Sequence, residues 1–326
     1  MDALFKKFGE INVAVLGDVM LDTYWWGNVE RISPEAPVPV VSMHHKEYRI
    51  GGAGNVALNL AALGAKTTVF SVIGNDEDGN TLKKLLEEHS INTNYIISST
   101  NRITTNKTRV VCRNQQLMRI DNEVTNDLTT ILENELYNSI ELFFNLHKPS
   151  ILIFEDYNKG VLTEGLINKV IALCKKNNVL TAVDPKKKNF FSYVGVDIFK
   201  PNLKEVKEGL NIALDKVNLE SMNQVHELLH KVLDHTISFI TLSEKGVFYQ
   251  TPTLSNIIPS HIRNIADVSG AGDTVIAVTS LVYASTKDIK LASAIGNIAG
   301  GLVCEEVGTA AINKDKLLNE CKQLLG

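Results

Sequence analysis

Cysteine is scarce and scattered. The 326 residues contain four, Cys112, Cys174, Cys304 and Cys321, with no C-x-x-C pair among them. Neither a disulfide framework nor a cysteine zinc site is indicated. Long apolar runs are also missing: no stretch approaches the roughly 18 apolar residues of a membrane span. The opening "MDALFKKFGEINVAVLGDVM" has no long apolar core and no small-residue cleavage site. A cytoplasmic chain with no membrane partner is expected. Nor is there an excess of one charge, since 33 Lys and Arg against 37 Asp and Glu give a formal −4. The one basic run, Lys186 to Lys188, is too short to attract nucleic acid, so a small-molecule partner is expected instead. What is present in quantity is apolar residues, 44% of the chain, enough for a sizeable core.

Short β-branched runs alternate with helix-period segments along the chain. "INVAVL", "TTVFSVI", "ILIFED", "VLTAVD", "DIFKPN" and "ISFITL" read as strands. Between them, Asn55 to Leu63, Leu128 to Leu146, Thr163 to Lys176, Leu219 to Val232 and Gly272 to Ala284 carry the helical period. Continuous apolar strands separated by helices predict a doubly wound α/β fold, a mostly parallel sheet with helices on both faces. No internal repeat or linker divides it, so one domain over 1–326 is expected. Two stretches break the rhythm, at about 19–50 and 95–121. The first is rich in proline and aromatics and the second reads as extended, so together they predict a small β-sheet lid over a cleft.

Acids gather where such strands end. Asp18 and Asp22 follow the first strand, where open α/β sheets collect ligands, as hydroxyl or metal holders or as turn acids. "GGAGN", Gly51 to Asn55, could let a sugar lie against the backbone while Asn55 bonds a hydroxyl. Gly52, Gly54 and Ala57 also satisfy G-x-G-x-x-A, with Asp76 placed like a ribose-binding acid, which keeps a nicotinamide dehydrogenase as an alternative. Proline-rich sequence in place of a buried strand before these glycines counts against it. In the lid, Lys107, Arg109 and Arg113 share strand parity and Arg119 follows, either as a solvated basic face or as a grip on an anion. "FEDYNKG" brings Glu155, Asp156 and Lys159 to the same edge. Asn202 and Glu205, three apart where a strand turns into a helix, suit water-bridged Mg²⁺ or a capping box. In "DVSGAGDT", Gly270, Ala271 and Gly272 offer backbone N–H groups at a helix N-terminus, an anion hole suited to phosphate. Asp273 beside that nest would repel a permanent anion unless its task is to take a proton from the group attacking the phosphate.

In order and distance, "GGAGN", the N-x-x-E and "DVSGAGDT" resemble the signatures of the PfkB, or ribokinase-like, carbohydrate kinases, over essentially the whole chain. The resemblance implies an ATP-dependent kinase with Mg²⁺ and a possible need for a monovalent cation. It places Asp273 as catalytic base and Ser243, Gly246, Asn297, Asn202, Glu205, Gly270 and Gly272 around the nucleotide. A sugar-phosphate substrate would lie on Asp18, Asp22, Gly51, Gly52, Asn55, Lys107, Arg109, Arg113, Asp156 and Lys159. Within the family, "LGDVMLDTYWWGNVERISPEAPVPVV", "NKTRVV", "RNQQLMRID" and "DYNKG" are similar to the branch acting on C1 of heptose 7-phosphate. That gives the lid cations a remote phosphate to hold. Glu155 stands where this branch is expected to have a small polar residue. The exposed edges of a small lid sheet suggest pairing between subunits, so a homodimer formed through the lid is expected. No H-x-G-H nucleotidyltransferase signature follows "CKQLLG", so a lone kinase or a separately expressed kinase domain is expected.

Overall fold

The computed structural model describes residues 1–113, 115–261 and 263–326. Helix α1 (Asp2–Lys7) leads into β1 (Asn12–Gly17). Strands β2 (Val19–Ile32) and β3 (Pro39–Gly52) then leave the body, and α2 (Ala53–Ala62) returns to it. After β4 (Lys66–Gly74), α3 (Glu77–Glu88) and β5 (Asn92–Ser99), a second excursion forms β6 (Asn106–Cys112) and β7 (Gln115–Asn122). The chain continues through α4 (Thr130–His147), β8 (Ile151–Glu155), α5 (Glu164–Lys176), β9 (Leu180–Asp184) and β10 (Ile198–Phe199). Then come α6 (Leu203–Leu210), α7 (Leu219–Leu233), β11 (Ile237–Thr241), the hairpin β12 (Val247–Gln250) and β13 (Ser255–Ile258), and α8 (Ala271–Thr286), α9 (Ile289–Val303) and α10 (Lys314–Leu325).

The main sheet runs β13-β12-β11-β10-β9-β8-β1-β4-β5, parallel except for the β12 and β13 hairpin. Its strands are apolar on both faces because both faces are covered. On β1, Val13 and Val15 enter one core with α2, α8 and α9, while Ala14 and Leu16 enter the other with α4, α5 and α7. Strand β8 divides its residues the same way, Ile151 and Ile153 against Leu152 and Phe154. From β1 the chain winds outward to β4 and β5, then restarts on the opposite side at β8. The β1/β8 pair is therefore the switch point, and a crevice opens beyond its carboxyl ends.

The lid is a separate sheet of order β3-β2-β6-β7, with β2 and β6 parallel and the outer pairs antiparallel. Two expectations need correcting. The stretch from about 95 is not lid, since β5 closes the edge of the main sheet and the second lid segment begins at Asn106. Arg113 does not share the face of Lys107 and Arg109, because β6 ends at Cys112 and Arg113 lies in the turn with φ 50°. Asn114 falls outside the described residues.

Far from the crevice, three histidines meet where α7 joins β11. His235 Nε2 and His226 Nδ1 both contact Ser238 Oγ, at 2.6 and 2.9 Å, and His230 Nδ1 bonds the His235 carbonyl at 2.8 Å. Burial, aided by the two neighbouring rings, pushes His235 down to about 3. The folded chain excludes a proton that the unfolded chain binds below about 6.5, so this contribution is complete above that pH and is lost as pH falls toward 3. The loss is about 1.4 kcal/mol per pH unit. The stability difference between wild type and His235→Gln, read from urea unfolding, should therefore shrink by about 2 kcal/mol from pH 7 to pH 5. A pH-independent difference would overturn the assignment.

Candidate active site

At the switch point β1 ends against β8 so closely that a Cβ on Gly17 would lie 2.0 Å from the Glu155 carbonyl oxygen. The next residue, Asp18, is buried and accepts three backbone N–H groups of the loop after β8, from Tyr157 and Lys159 on Oδ2 and from Val161 on Oδ1, at 2.9 to 3.0 Å. That loop carries Tyr157 across the crevice to the start of α8. There Tyr157 Oη donates to Asp273 Oδ1 at 2.8 Å, and Asn55 Nδ2 donates to Oδ2 at 2.8 Å. Asn55 is steadied in turn by Asn59, which also receives Thr274 Oγ1 and the Ile312 N–H. Burial pushes the Asp273 carboxyl up to about 6, against the pull of its two donors. Gly270, in the left-handed region at φ 77°, turns the chain into α8. Ala271 N–H bonds the Val268 carbonyl, whereas among the described residues the N–H groups of Gly270 and Gly272 meet no acceptor. The helix mouth thus joins free N–H donors to a buried carboxylate, an arrangement that suits an anion and a proton acceptor together.

Behind this mouth lies a second group of charges. Glu155 and Asp184 end the adjacent parallel strands β8 and β9 in register. Oxygens of Glu155, Asp184 and Asp273 all lie within 4.8 Å of one another. Lys200, itself buried, holds Asp184 at 2.7 Å, and Lys186 lies between Asp184 at 3.5 Å and Glu205 at 2.6 Å. Burial, with Asp184 and Asp273 close by, raises the Glu155 carboxyl well above its usual range. Of the two expectations for Asn202 and Glu205, the structure shows the capping box. They form a reciprocal capping box on α6, Asn202 Oδ1 taking the Glu205 N–H at 2.9 Å and Glu205 Oε2 the Asn202 N–H at 2.8 Å. With Lys186 on the other Glu205 oxygen, the donor set that fits a hard cation is Glu155, Asp184 and Asp273.

The lid brings its cations over the crevice unequally. Lys107 Nζ lies 5.5 Å from the Tyr157 ring centre, and among the described residues no carboxylate is within ion-pair distance of it. Burial, reinforced by nearby Lys159, lowers its ammonium pKa. Arg109 is paired with Asp22 at 2.5 Å, Lys159 with Glu123 at 2.7 Å, and Arg119 with Asp121 at 2.7 Å. Gly51 packs beside the Asp22 carboxylate and Gly52 beside the Asp18 carbonyl. Two expected sugar contacts need correcting. Asp18 is occupied by backbone donors, and Asp156, one residue past Glu155, points to the opposite face, where it is buried and bonded by Tyr193 at 2.8 Å and Asn189 at 3.2 Å. On the far side of α8, Ser243 and Gly246 form the turn after β11, and Asn297 bonds the Pro259 carbonyl after β13 at 2.8 Å. The dinucleotide alternative fails structurally, since its glycines follow antiparallel lid strand β3 and Asp76 caps α3 while holding Thr104. Sequence reasoning did not find Tyr157, Asp184, Lys186 or Lys200. Only Asp184, an acid ending a buried strand, carried a signal that could have shown it.

The chain is similar to known proteins in sequence and in fold. Proteins described as bifunctional protein HldE are similar over most of the chain. The one from Geobacter sulfurreducens is 38% identical over 98% of this chain and 64% of its own length. The one from Aliarcobacter butzleri is 40% identical over 94% and 63%. The chain therefore spans less than two thirds of the length of these relatives. Escherichia coli phosphofructokinase-2 in complex with potassium shares the fold at TM-score 0.81 and 17% identity, over 97% of this chain and all of its own. Arabidopsis thaliana ribokinase complexed with ribose and ATP does so at TM-score 0.72 and 17% identity, over 94% and 98%. Residues 10–316 match the model of the pfkB family carbohydrate kinases, and the chain, an ATP-dependent sugar kinase of ribokinase-like fold, belongs to that family.

Proposed function

We propose that the chain transfers the γ-phosphoryl group of ATP to the anomeric C1 hydroxyl of D-glycero-β-D-manno-heptose 7-phosphate, giving the 1,7-bisphosphate used to build nucleotide-activated heptose. One observation carries this reading: the buried carboxylate of Asp273 and the unpaired ammonium of Lys107 lie on either side of Tyr157 in a single crevice. A base at one end and a cation without a partner at the other suit a substrate with a hydroxyl to deprotonate and a phosphate to anchor.

In this mechanism the ATP phosphates lie over the free N–H groups at the mouth of α8, with Ser243, Gly246 and Asn297 on the nucleotide side. Asp22, Gly51, Gly52 and Asn55 hold sugar hydroxyls, and Lys107, with Arg109 and Lys159, holds the remote phosphate. The C1 hydroxyl replaces one of the two donors on Asp273 and gives up its proton to that carboxylate as its oxygen bonds the γ-phosphorus. The bond from the γ-phosphorus to the bridging oxygen breaks, and ADP leaves. Mg²⁺ carried with the nucleotide would supply positive charge to the transferring group. Glu155 and Asp184 are the residues fitted to hold it, since both Glu155 carboxylate oxygens are buried with no partner. A monovalent cation is a further candidate cofactor. The outer lid leaves Met43, Leu117, Met118 and Ile120 exposed, which supports a homodimer through this sheet.

Asp273→Asn should keep ATP binding and lose turnover by about 10² to 10⁴; near-normal ADP formation by the folded variant would sink the base assignment. Across a panel of sugars and sugar phosphates, Lys107→Met should raise KM for phosphorylated acceptors about tenfold to a hundredfold while sparing unphosphorylated ones. An equal loss on both would remove the phosphate-anchoring role. If a different phosphorylated sugar gives the highest kcat/KM, the kinase reading stands and the heptose falls. For the dimer, light scattering should find two chains per particle for the wild type and one for Met118→Lys; a monomeric wild type ends that proposal.

A further inference from the structure

Asp273 has a donor on each carboxylate oxygen, and the two donors differ in their freedom to leave. Asn55, on Oδ2, is fully buried. Asn59 Nδ2 bonds its backbone carbonyl at 2.8 Å and its Oδ1 at 3.3 Å, and a Cβ on Gly270 would come within 2.7 Å of its Nδ2. That amide is wedged in place. Tyr157, on Oδ1, is partly exposed to the crevice. Its N–H is held by Asp18 Oδ2 at 2.9 Å, so its backbone is pinned while its side chain can turn. Lys107 of the lid and Lys186 after β9 each lie 5.5 Å from its ring centre. An ammonium group at that distance attracts the ring face. Lys107 is also the cation assigned to the remote phosphate of the substrate, and a phosphate that draws it away loosens the ring.

We infer that Tyr157 makes the site choose a sugar hydroxyl over water, because its own hydroxyl fills the acceptor's place on Asp273 Oδ1 until a sugar displaces it. With ATP at the helix mouth and Oδ1 open, a water on that oxygen would give its proton to Asp273 as its oxygen bonds the γ-phosphorus. The bond from the γ-phosphorus to the bridging oxygen would break, releasing ADP and inorganic phosphate. Enzymes suppress such side reactions by excluding water from the closed site. Here a hydroxyl already bonded to the base does so before any sugar arrives.

The exchange is easy for the sugar and hard for water. One hydroxyl donor on a carboxylate replaces another, so little hydrogen-bond energy is lost in either case. A sugar phosphate, however, makes two contacts together, its phosphate on Lys107 and its hydroxyl on Asp273. Water makes only the second and leaves the ring where it is. Tyr157 thereby adds to the kinase reading, on which it rests, a preference for the acceptor over solvent.

The test measures ATP hydrolysis by the full chain with Mg²⁺ and no sugar. Tyr157→Phe should hydrolyse ATP about tenfold or more faster than the wild type, the loss of one hydrogen bond to a charged group. Adding Asp273→Asn should abolish that gain. A purely structural role for Tyr157 predicts a lower rate, not a higher one that needs Asp273. A Tyr157→Phe no faster than the wild type, or a gain that persists with Asp273→Asn, overturns the proposal. Should the variant fail to fold, the wild type decides it with the 1,5-anhydro analogue of the best phosphorylated acceptor in the panel. This analogue keeps the phosphate and lacks the C1 hydroxyl, so it should draw Tyr157 aside and raise ATP hydrolysis; unchanged hydrolysis overturns the proposal. If the wild type phosphorylates a sugar and Tyr157→Phe shows no gain, this assignment falls alone. If the wild type phosphorylates no sugar, it is the kinase reading that falls.

Discussion

The carboxylate of Asp18 accepts three backbone N–H groups from one short loop, and the arrangement of the crevice follows from that contact. The loop after β8 has no regular structure of its own to fix it. Charge-assisted bonds to its amides hold it against the end of β1, in a buried place where an unpaired amide or carboxylate would be strongly unfavourable. With the loop fixed, Tyr157 reaches Asp273, and Lys159 extends toward the lid beside Lys107. Burial raises the carboxyl pKa of Asp18, while the three amides act in the opposite direction. An acid expected from the sequence to contact a ligand therefore serves as the anchor on which the crevice is assembled.

Much of the body was legible from the chain because its signals are local. Apolar runs covered on both faces, helices at the expected positions, and an acid after G-A-G at a helix mouth all follow from spacing over a few residues. The corrections at Asp156 and Arg113 share one cause, which is that side-chain direction depends on a single residue of register. Asp156 lies one place past Glu155 and so faces the opposite core. Arg113 lies one place beyond the end of β6 and leaves its face. Lys107 and Arg109 look equivalent in the sequence, yet Asp22, 87 residues away, neutralises only Arg109. Asn202 and Glu205 were ambiguous for a different reason. The spacing that presents two side chains to a crevice is also the spacing of a capping box, and the cap is what forms.

The crevice also separates two kinds of electrostatic work. On the lid side, Arg109, Arg119 and Lys159 are each neutralised by a carboxylate, and among the described residues Lys107 has no such partner. On the sheet side, carboxylates outnumber lysines. A molecule spanning the two would place its own anion under the lid and bring cationic charge toward the strands. That polarity gives the crevice a direction, which neither the balanced composition nor the fold alone supplies.

Asp273 takes its two donors from parts of the chain 218 and 116 residues away. Contacts of such separation are slow to close and depend on most of the sheet being in place. The buried carboxylate of Asp273 is thus set between its donors only when both halves of the fold have docked, and a nascent or partly unfolded chain leaves it exposed to water. The crevice acquires this group in its perturbed, desolvated form only as folding completes.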